Sequence, residues 1–159
     1  TKVTTIPKGA RSRAWMGQSG LSEYTISADA RGAKMSDQLP DIGLTAHGYV
    51  LDMMGQSQQL QIRTWSAQLR MAETVEFPWQ EDTWYRMKFR VDIESEPPAA
   101  VALLRGKVWP RDQDEPKEWS ITARDESPNL ASSPGLYVNA KVAELYLDNI
   151  EVTENSEQP

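Results

Sequence analysis

Three observations predict an all-β domain, either a sandwich or a barrel. Short runs with period-two alternation of apolar and polar side chains recur along the chain. The breaks between them are rich in Gly, Pro, Asn, Asp and Ser. No segment carries the 3.6-residue periodicity of a long amphipathic helix.

The alternating runs follow in order: "EYTISADAR" at 23–31, "DIGLTA" at 41–46, "YVLDMM" at 49–54, "LQIRTW" at 60–65 and "QLRMAETVEF" at 68–77. They continue as "TWYRMKFRVDI" at 83–93, "AAVALLRGKVW" at 99–109, "EWSITAR" at 118–124, "GLYVNA" at 135–140 and "AELYLDNIEV" at 143–152. Turn chemistry divides them at "GQSQ", "PWQED", "ESEPP", "PRDQDEPK" and "ESPNLASSPG", where Gly supplies positive φ and Pro and Asx residues favour turns. Side chains alternate between the two faces of a strand. The expected core therefore holds Tyr24, Ile26 and Ala28; Ile42, Leu44 and Ala46; Leu60 and Ile62; Leu69, Met71 and Val75; and Tyr85, Met87, Phe89 and Val91. Trp119 shares phase with Ile121 and Ala123 and is expected in the core as well.

The chain has 159 residues and a formal net charge of −6, which suits one domain able to build its own core. We expect a single domain over 1–152 and a disordered tail over 153–159, "TENSEQP" included. Cysteine is absent, so there is no disulfide framework, thiol nucleophile or cysteine metal site. No run approaches the roughly 18 apolar residues of a spanning helix, so membrane insertion is not expected. The acidic balance argues against nucleic acid as a partner, because phosphates are held mainly by Lys and Arg. The start "TKVTTIPKGARSRAW" lacks both Met and the apolar run of a signal peptide, and reads as an excised or processed fragment.

The opposite phase of several strands is cationic and aromatic. It holds Arg63 and Trp65, then Trp84, Arg86, Lys88 and Arg90, then Arg105, Lys107 and Trp109. The acids Asp112, Asp114, Glu115, Glu118, Asp125, Glu126, Glu151, Glu154 and Glu157 fall in late loops and the tail, so an acidic chain can still present a locally basic sheet. Two readings are open. The cations are a solvated outer face that discourages edge pairing, or they hold hydroxyls, carboxylates or sulfates of a glycan while indoles stack on its rings. Trp65 and Trp109 are the favoured stacking residues, and Trp79 is either a loop anchor or an exposed platform.

His47 is the only histidine. It suits a turn better than a metal or base site, which needs further partners. "DQDE" at 112–115 lacks the Gly and final Glu of a hand-type calcium loop. Asp92, Glu94 and Glu96 are the best acids for a hydrolase or lyase, a minor reading because they run straight into "PP".

"DTWYRMKFRVD", "LLRGKVWPRDQDEPKEWSI" and "SPGLYVNAKVAELYLDNIEV" resemble the concanavalin A-like, laminin G-like jelly-roll domains that accompany quinoprotein-type β-propellers in large bacterial proteins. "SEYTISADARG" and "DIGLTAHGYVLDMMGQSQQLQIRTW" extend the similarity over nearly the whole chain. The resemblance implies a two-sheet antiparallel β-sandwich, a bacterial periplasmic or extracellular setting, and an accessory module without chemistry of its own. "YLDNIEV" also resembles the closing strand of jelly-roll carbohydrate-binding modules, which implies a structural calcium ligated by Asp148. The leading expectation is a non-catalytic, lectin-like module for an anionic polysaccharide, bound by Arg63, Trp65, Trp84, Arg86, Lys88, Arg105, Lys107 and Trp109. The alternative is a structural module that turns the same face to an acidic protein surface, such as a neighbouring propeller.

Overall fold

A computed structural model describes residues 2–4, 11–64, 70–95, 99–140 and 143–155. The described residues form twelve strands: β1 (Lys2–Thr4), β2 (Arg11–Trp15), β3 (Tyr24–Lys34), β4 (Asp41–Ala46), β5 (Tyr49–Met54), β6 (Gln59–Thr64), β7 (Ala72–Glu76), β8 (Tyr85–Glu94), β9 (Val101–Pro110), β10 (Ile121–Asp125), β11 (Gly135–Asn139) and β12 (Ala143–Glu154). They build two six-stranded sheets, ordered β1-β12-β3-β8-β9-β10 and β2-β11-β4-β5-β6-β7, antiparallel at every pairing. Among the described residues no helix is long and apolar enough to cross a membrane.

Alternation places the core where the sequence puts it. Ile26, Ala28, Ile42, Leu44, Leu60, Ile62, Met87, Phe89 and Val91 are fully buried and belong to one cluster drawn from both sheets. Met71 and Val75 pack on its margin, while Leu69 lies outside the described residues. Truncating Phe89 to Ala would remove about 3–5 kcal/mol, since the vacated volume cannot refill. The sheets pack tightly at Gly106, where an added Cβ would meet Leu51 Cδ1 at 2.6 Å. A side chain there would force the layers apart, so β9 interrupts its pattern with glycine between Arg105 and Lys107.

The β4–β5 hairpin turns at His47 and Gly48, both at positive φ (50° and 74°), the backbone that tight two-residue hairpins require. The expected turn histidine is also completely buried. Its Nε2 accepts the Glu23 N–H at 2.9 Å, and Nδ1 lies 3.3 Å from the Asn129 carbonyl. That pattern assigns the proton to Nδ1. Burial pushes the His47 pKa down, against smaller upward effects from the Asn129 carbonyl and Asp92. The ring is therefore a neutral structural tie between the turn and two other segments.

Strand β12 continues through Thr153 and Glu154, residues the sequence assigns to a tail. Asn155 donates its backbone N–H to the Glu23 carbonyl and its side-chain N–H to Val91 O and Asp92 Oδ1. Residues 156–159 lie outside the described part.

Candidate functional site

Strand register writes the outer face of the first sheet as rows. Asp29, Arg86 and Trp109 are cross-strand neighbours on β3, β8 and β9. The next row is Ser27, Lys88 and Lys107, and the third is Thr25, Arg90, Arg105 and, on β10, Thr122. Six of the eight expected glycan-binding residues, Trp84, Arg86, Lys88, Arg105, Lys107 and Trp109, belong to this sheet or its immediate approach. A groove of about 530 Å³ opens on it, lined in part by Ser27, Arg86, Lys88, Lys107, Trp119 and Asn155. Its cationic lining comprises Arg86, Lys88, Arg90, Lys107 and Lys117, against Glu115, Glu151 and Glu154.

Three of the acids expected in late loops and the tail, Glu115, Glu151 and Glu154, line this groove, and Asp92 joins the face from β8. Glu115, from the β9–β10 connection, places its carboxylate 2.6 Å from Lys88 Nζ and 2.7 Å from Lys107 Nζ. Asp92 lies 2.8 Å from Arg90 Nη2 and 2.7 Å from Arg105 Nη2. Arg86 donates to Asp29 at 3.3 Å, to Ser27 Oγ at 2.7 Å and to the Asn149 carbonyl at 2.7 Å, and pairs with Glu151 at 3.5 Å. Burial pushes the Glu115 and Asp92 carboxyls up, but hydrogen bonds and charge from Lys107 and Lys88, and from Arg90 and Arg105, outweigh it. Both groups stay below the usual carboxylate range.

The indoles are distributed differently from the expectation. Trp109 keeps the outer phase yet is 8 % exposed, so it is a packed residue and not a stacking platform. The β9–β10 connection lies back on β9 beside it. Lys107 Nζ donates to Pro116 O at 2.8 Å, and Val108 N–H donates to Ser120 Oγ at 3.4 Å. The same connection corrects Trp119. β10 begins only at Ile121, so the core phase does not extend back to 119, and the half-buried indole borders the groove. The Lys107 ammonium stands 4.6 Å and the Arg105 guanidinium 5.8 Å from its ring centre, a cation–π arrangement. Trp84 is held between the guanidinium groups of Arg31 at 5.5 Å and Arg111 at 4.7 Å. Trp79 is a loop anchor: it is buried, and its indole N–H donates to Met54 O at 3.2 Å. Trp65 lies outside the described residues.

Arg63 is not part of this face. It stands on β6 of the other sheet, paired with buried Asp52 at 2.9 Å and 5.1 Å from the centre of the Tyr137 ring. Among the described residues Asp52 Oδ1 has no hydrogen-bond partner. Burial pushes the Asp52 carboxyl up to about 6, Asp41 adds to the rise, and Arg63 and Arg11 oppose it. Among the acids considered for catalysis, Asp92 is locked between two guanidiniums, Glu94 pairs with Arg124 at 3.3 Å, and Glu96 lies outside the described residues.

Asp148 is exposed beside the β-bulge between Asp148 and Glu151, and its Oδ1 accepts the Asn149 N–H at 2.9 Å. Among the described residues no group of three or more His, Cys, Asp or Glu side chains gathers to hold a metal ion. Asp148 by itself does not fit calcium, which takes six to eight oxygen ligands.

No family model matches the chain, and no curated protein matches it in sequence. Solved structures do match in fold. The Caenorhabditis elegans galectin LEC-6 superposes with a TM-score of 0.61 at 7% identity, covering 96% of each chain. Sheep galectin-11, solved in complex with glycerol, gives 0.54 at 8% identity over 94% of this chain and 100% of its own. A candidate β-glucanase from Mycobacterium abscessus gives 0.55 at 14% identity over 90% of this chain and 74% of its own. The architecture is thus the concanavalin A-like jelly roll shared by lectins and glucanases, as the sequence resemblance implies.

Proposed function

We propose that the chain is a non-catalytic glycan-binding module that seats an acidic sugar in the groove on the outer face of the first sheet. The observation that carries this reading is the half-buried Trp119 bordering a groove whose cationic side chains outnumber its carboxylates. An indole edge or face suits the apolar side of a sugar ring. Ammonium and guanidinium donors suit its hydroxyls and anionic substituents. Galectins on the same fold support the lectin-like class.

The β-glucanase neighbour raises hydrolysis as the other outcome for this fold, and fold alone does not assign activity. Hydrolysis needs a carboxylic acid that holds a proton near neutral pH beside a second carboxylate. Glu115 and Asp92 are held ionised by their cations. Asp52 has a raised pKa but lies on the other sheet with a side chain 3 % exposed. The bacterial, extracytoplasmic setting and the neighbouring propeller rest on the sequence resemblance alone, as does calcium at Asp148. Equilibrium dialysis against the ion checks the last.

Affinity-gel retardation against neutral, uronate and sulfated polysaccharides tests the function. Retardation by acidic polymers that weakens from 0.1 M to 1 M salt is expected, since the Debye length shrinks from about 10 Å to about 3 Å. Release of reducing sugar from any of these polymers would show an enzyme instead.

A further inference from the structure

Glu115 sits between two lysines of the groove, and its position is unusual. Lys88 and Lys107 are direct cross-strand partners on β8 and β9, and like charges placed opposite one another destabilise a sheet. Lys107 is also only 5 % exposed, and a buried ammonium needs an anion beside it. Glu115 meets both needs, with each of its oxygens within hydrogen-bonding distance of Lys88 Nζ, at 2.6 and 2.7 Å. Its own side chain is 42 % exposed, and it belongs to the β9–β10 connection, not to a strand. The neighbouring row differs. There Arg90 and Arg105 share Asp92, a residue of β8 itself, whose backbone is fixed in the sheet.

The two lysines therefore form a two-donor seat for an anion, and a loop-borne carboxylate fills it. We propose that Glu115 is an internal stand-in for the ligand's anionic group, a specificity-determining residue that a uronate carboxylate or a sugar sulfate displaces from Lys88 and Lys107. This inference rests on the glycan-binding reading of the groove. It makes discrimination between charged and neutral sugars a competition: a neutral sugar leaves Glu115 in place, whereas a charged one binds only as well as it outcompetes the resident carboxylate.

Glu115→Gln keeps the side-chain shape, and its amide oxygen can still accept from a lysine, but it removes the competing charge. Calorimetric titration of both proteins at low salt with oligogalacturonate and with its methyl-esterified form separates the cases. The variant should bind the charged oligomer about tenfold tighter, the scale expected when one close charge competitor is removed, and the neutral one within about twofold. Adding Lys88→Met should erase the gain. Equal or weaker binding of the charged oligomer by the variant overturns the proposal. An equal gain for a glutamate oligopeptide overturns the glycan as the source of the anion.

A second readout does not depend on sugar recognition. Inorganic sulfate should shift the Trp119 indole Nε1–H resonance in Glu115→Gln at millimolar concentrations and leave the wild type unmoved. If neither protein binds any oligosaccharide, the glycan reading falls while the sulfate response still decides whether Glu115 guards an anion seat. Identical sulfate responses in the two proteins overturn that role.

Discussion

The two outer faces of the sandwich use the same residue types to opposite ends. On the second sheet, Arg63 serves one buried carboxylate, Asp52, and the Tyr137 ring lies between Arg63 at 5.1 Å and Arg13 at 5.5 Å. That cluster is closed on itself. On the first sheet the carboxylates are shared: Asp92 between Arg90 and Arg105, Glu115 between Lys88 and Lys107, Asp29 between Arg86 and Arg111. Sharing gathers two cations around each acid beside an open groove. An outward cation on a strand is thus a structural group where it answers a buried acid one to one, and on the proposed reading a binding group where several cations divide a few acids.

Removing one partner from each face should break that contrast most visibly. Arg63→Ala strands a buried carboxylate whose Oδ1 already lacks a partner among the described residues, which should cost about 3–5 kcal/mol in a denaturant titration. Arg86→Ala should cost less, about 1–2 kcal/mol, because Asp29 keeps Arg111 at 3.3 Å and the Asn149 amide at 2.6 Å. Equal losses would remove the distinction between closed and shared clusters.

The same closed cluster predicts a pH dependence. Asp52 has its folded pKa raised to about 6 from 3.8, so the folded state holds this proton more tightly than the unfolded chain. Its ionisation costs nothing below the unfolded value, and the cost grows as pH rises and is complete above about 6. Against Asp52→Asn, wild-type stability should therefore fall progressively between about pH 4 and 6, by about 3 kcal/mol at most. A difference independent of pH would mean that Asp52 stays ionised throughout this range.

The indoles sharpen the contrast with smaller effects. Trp109→Ala should lower stability by about 3 kcal/mol, as buried aromatic truncations do, and Trp119→Ala should lower it far less. For glycan affinity the order reverses. Loss of Trp119 should weaken binding about tenfold, or about 1.4 kcal/mol, as read by calorimetry. A Trp119→Ala protein with full affinity would move the stacking role elsewhere.

How far the sequence reaches follows from the range of each interaction. Strand phase is local, and the alternation through Tyr85, Met87, Phe89 and Val91 gave both the core and the outward set Arg86, Lys88 and Arg90. Sheet membership is not local. Nothing near Arg63 tells that β6 pairs with β5 and β7 while β8 pairs with β3 and β9, so one expected site divides between two faces. The loop acids were equally hidden, because Glu115 reaches Lys88 only through the return of a connection that lacks strand periodicity. The same connection carries Trp119 to the groove, while Trp109 is buried on β9. One signal was available: "PRDQDEPK" breaks the alternation before Trp119, so its phase could not be carried back from Ile121.

The central claim, that the first sheet binds and the second only packs, is tested most directly by mapping oligogalacturonate onto the backbone amides by NMR at low salt. Perturbations should cluster at Ser27, Lys88, Lys107 and Trp119 and disappear at 1 M salt, with Arg63, Asp52 and Tyr137 unmoved. Shifts centred on Tyr137 and Arg63, or none on the β3–β8–β9 face, would contradict it.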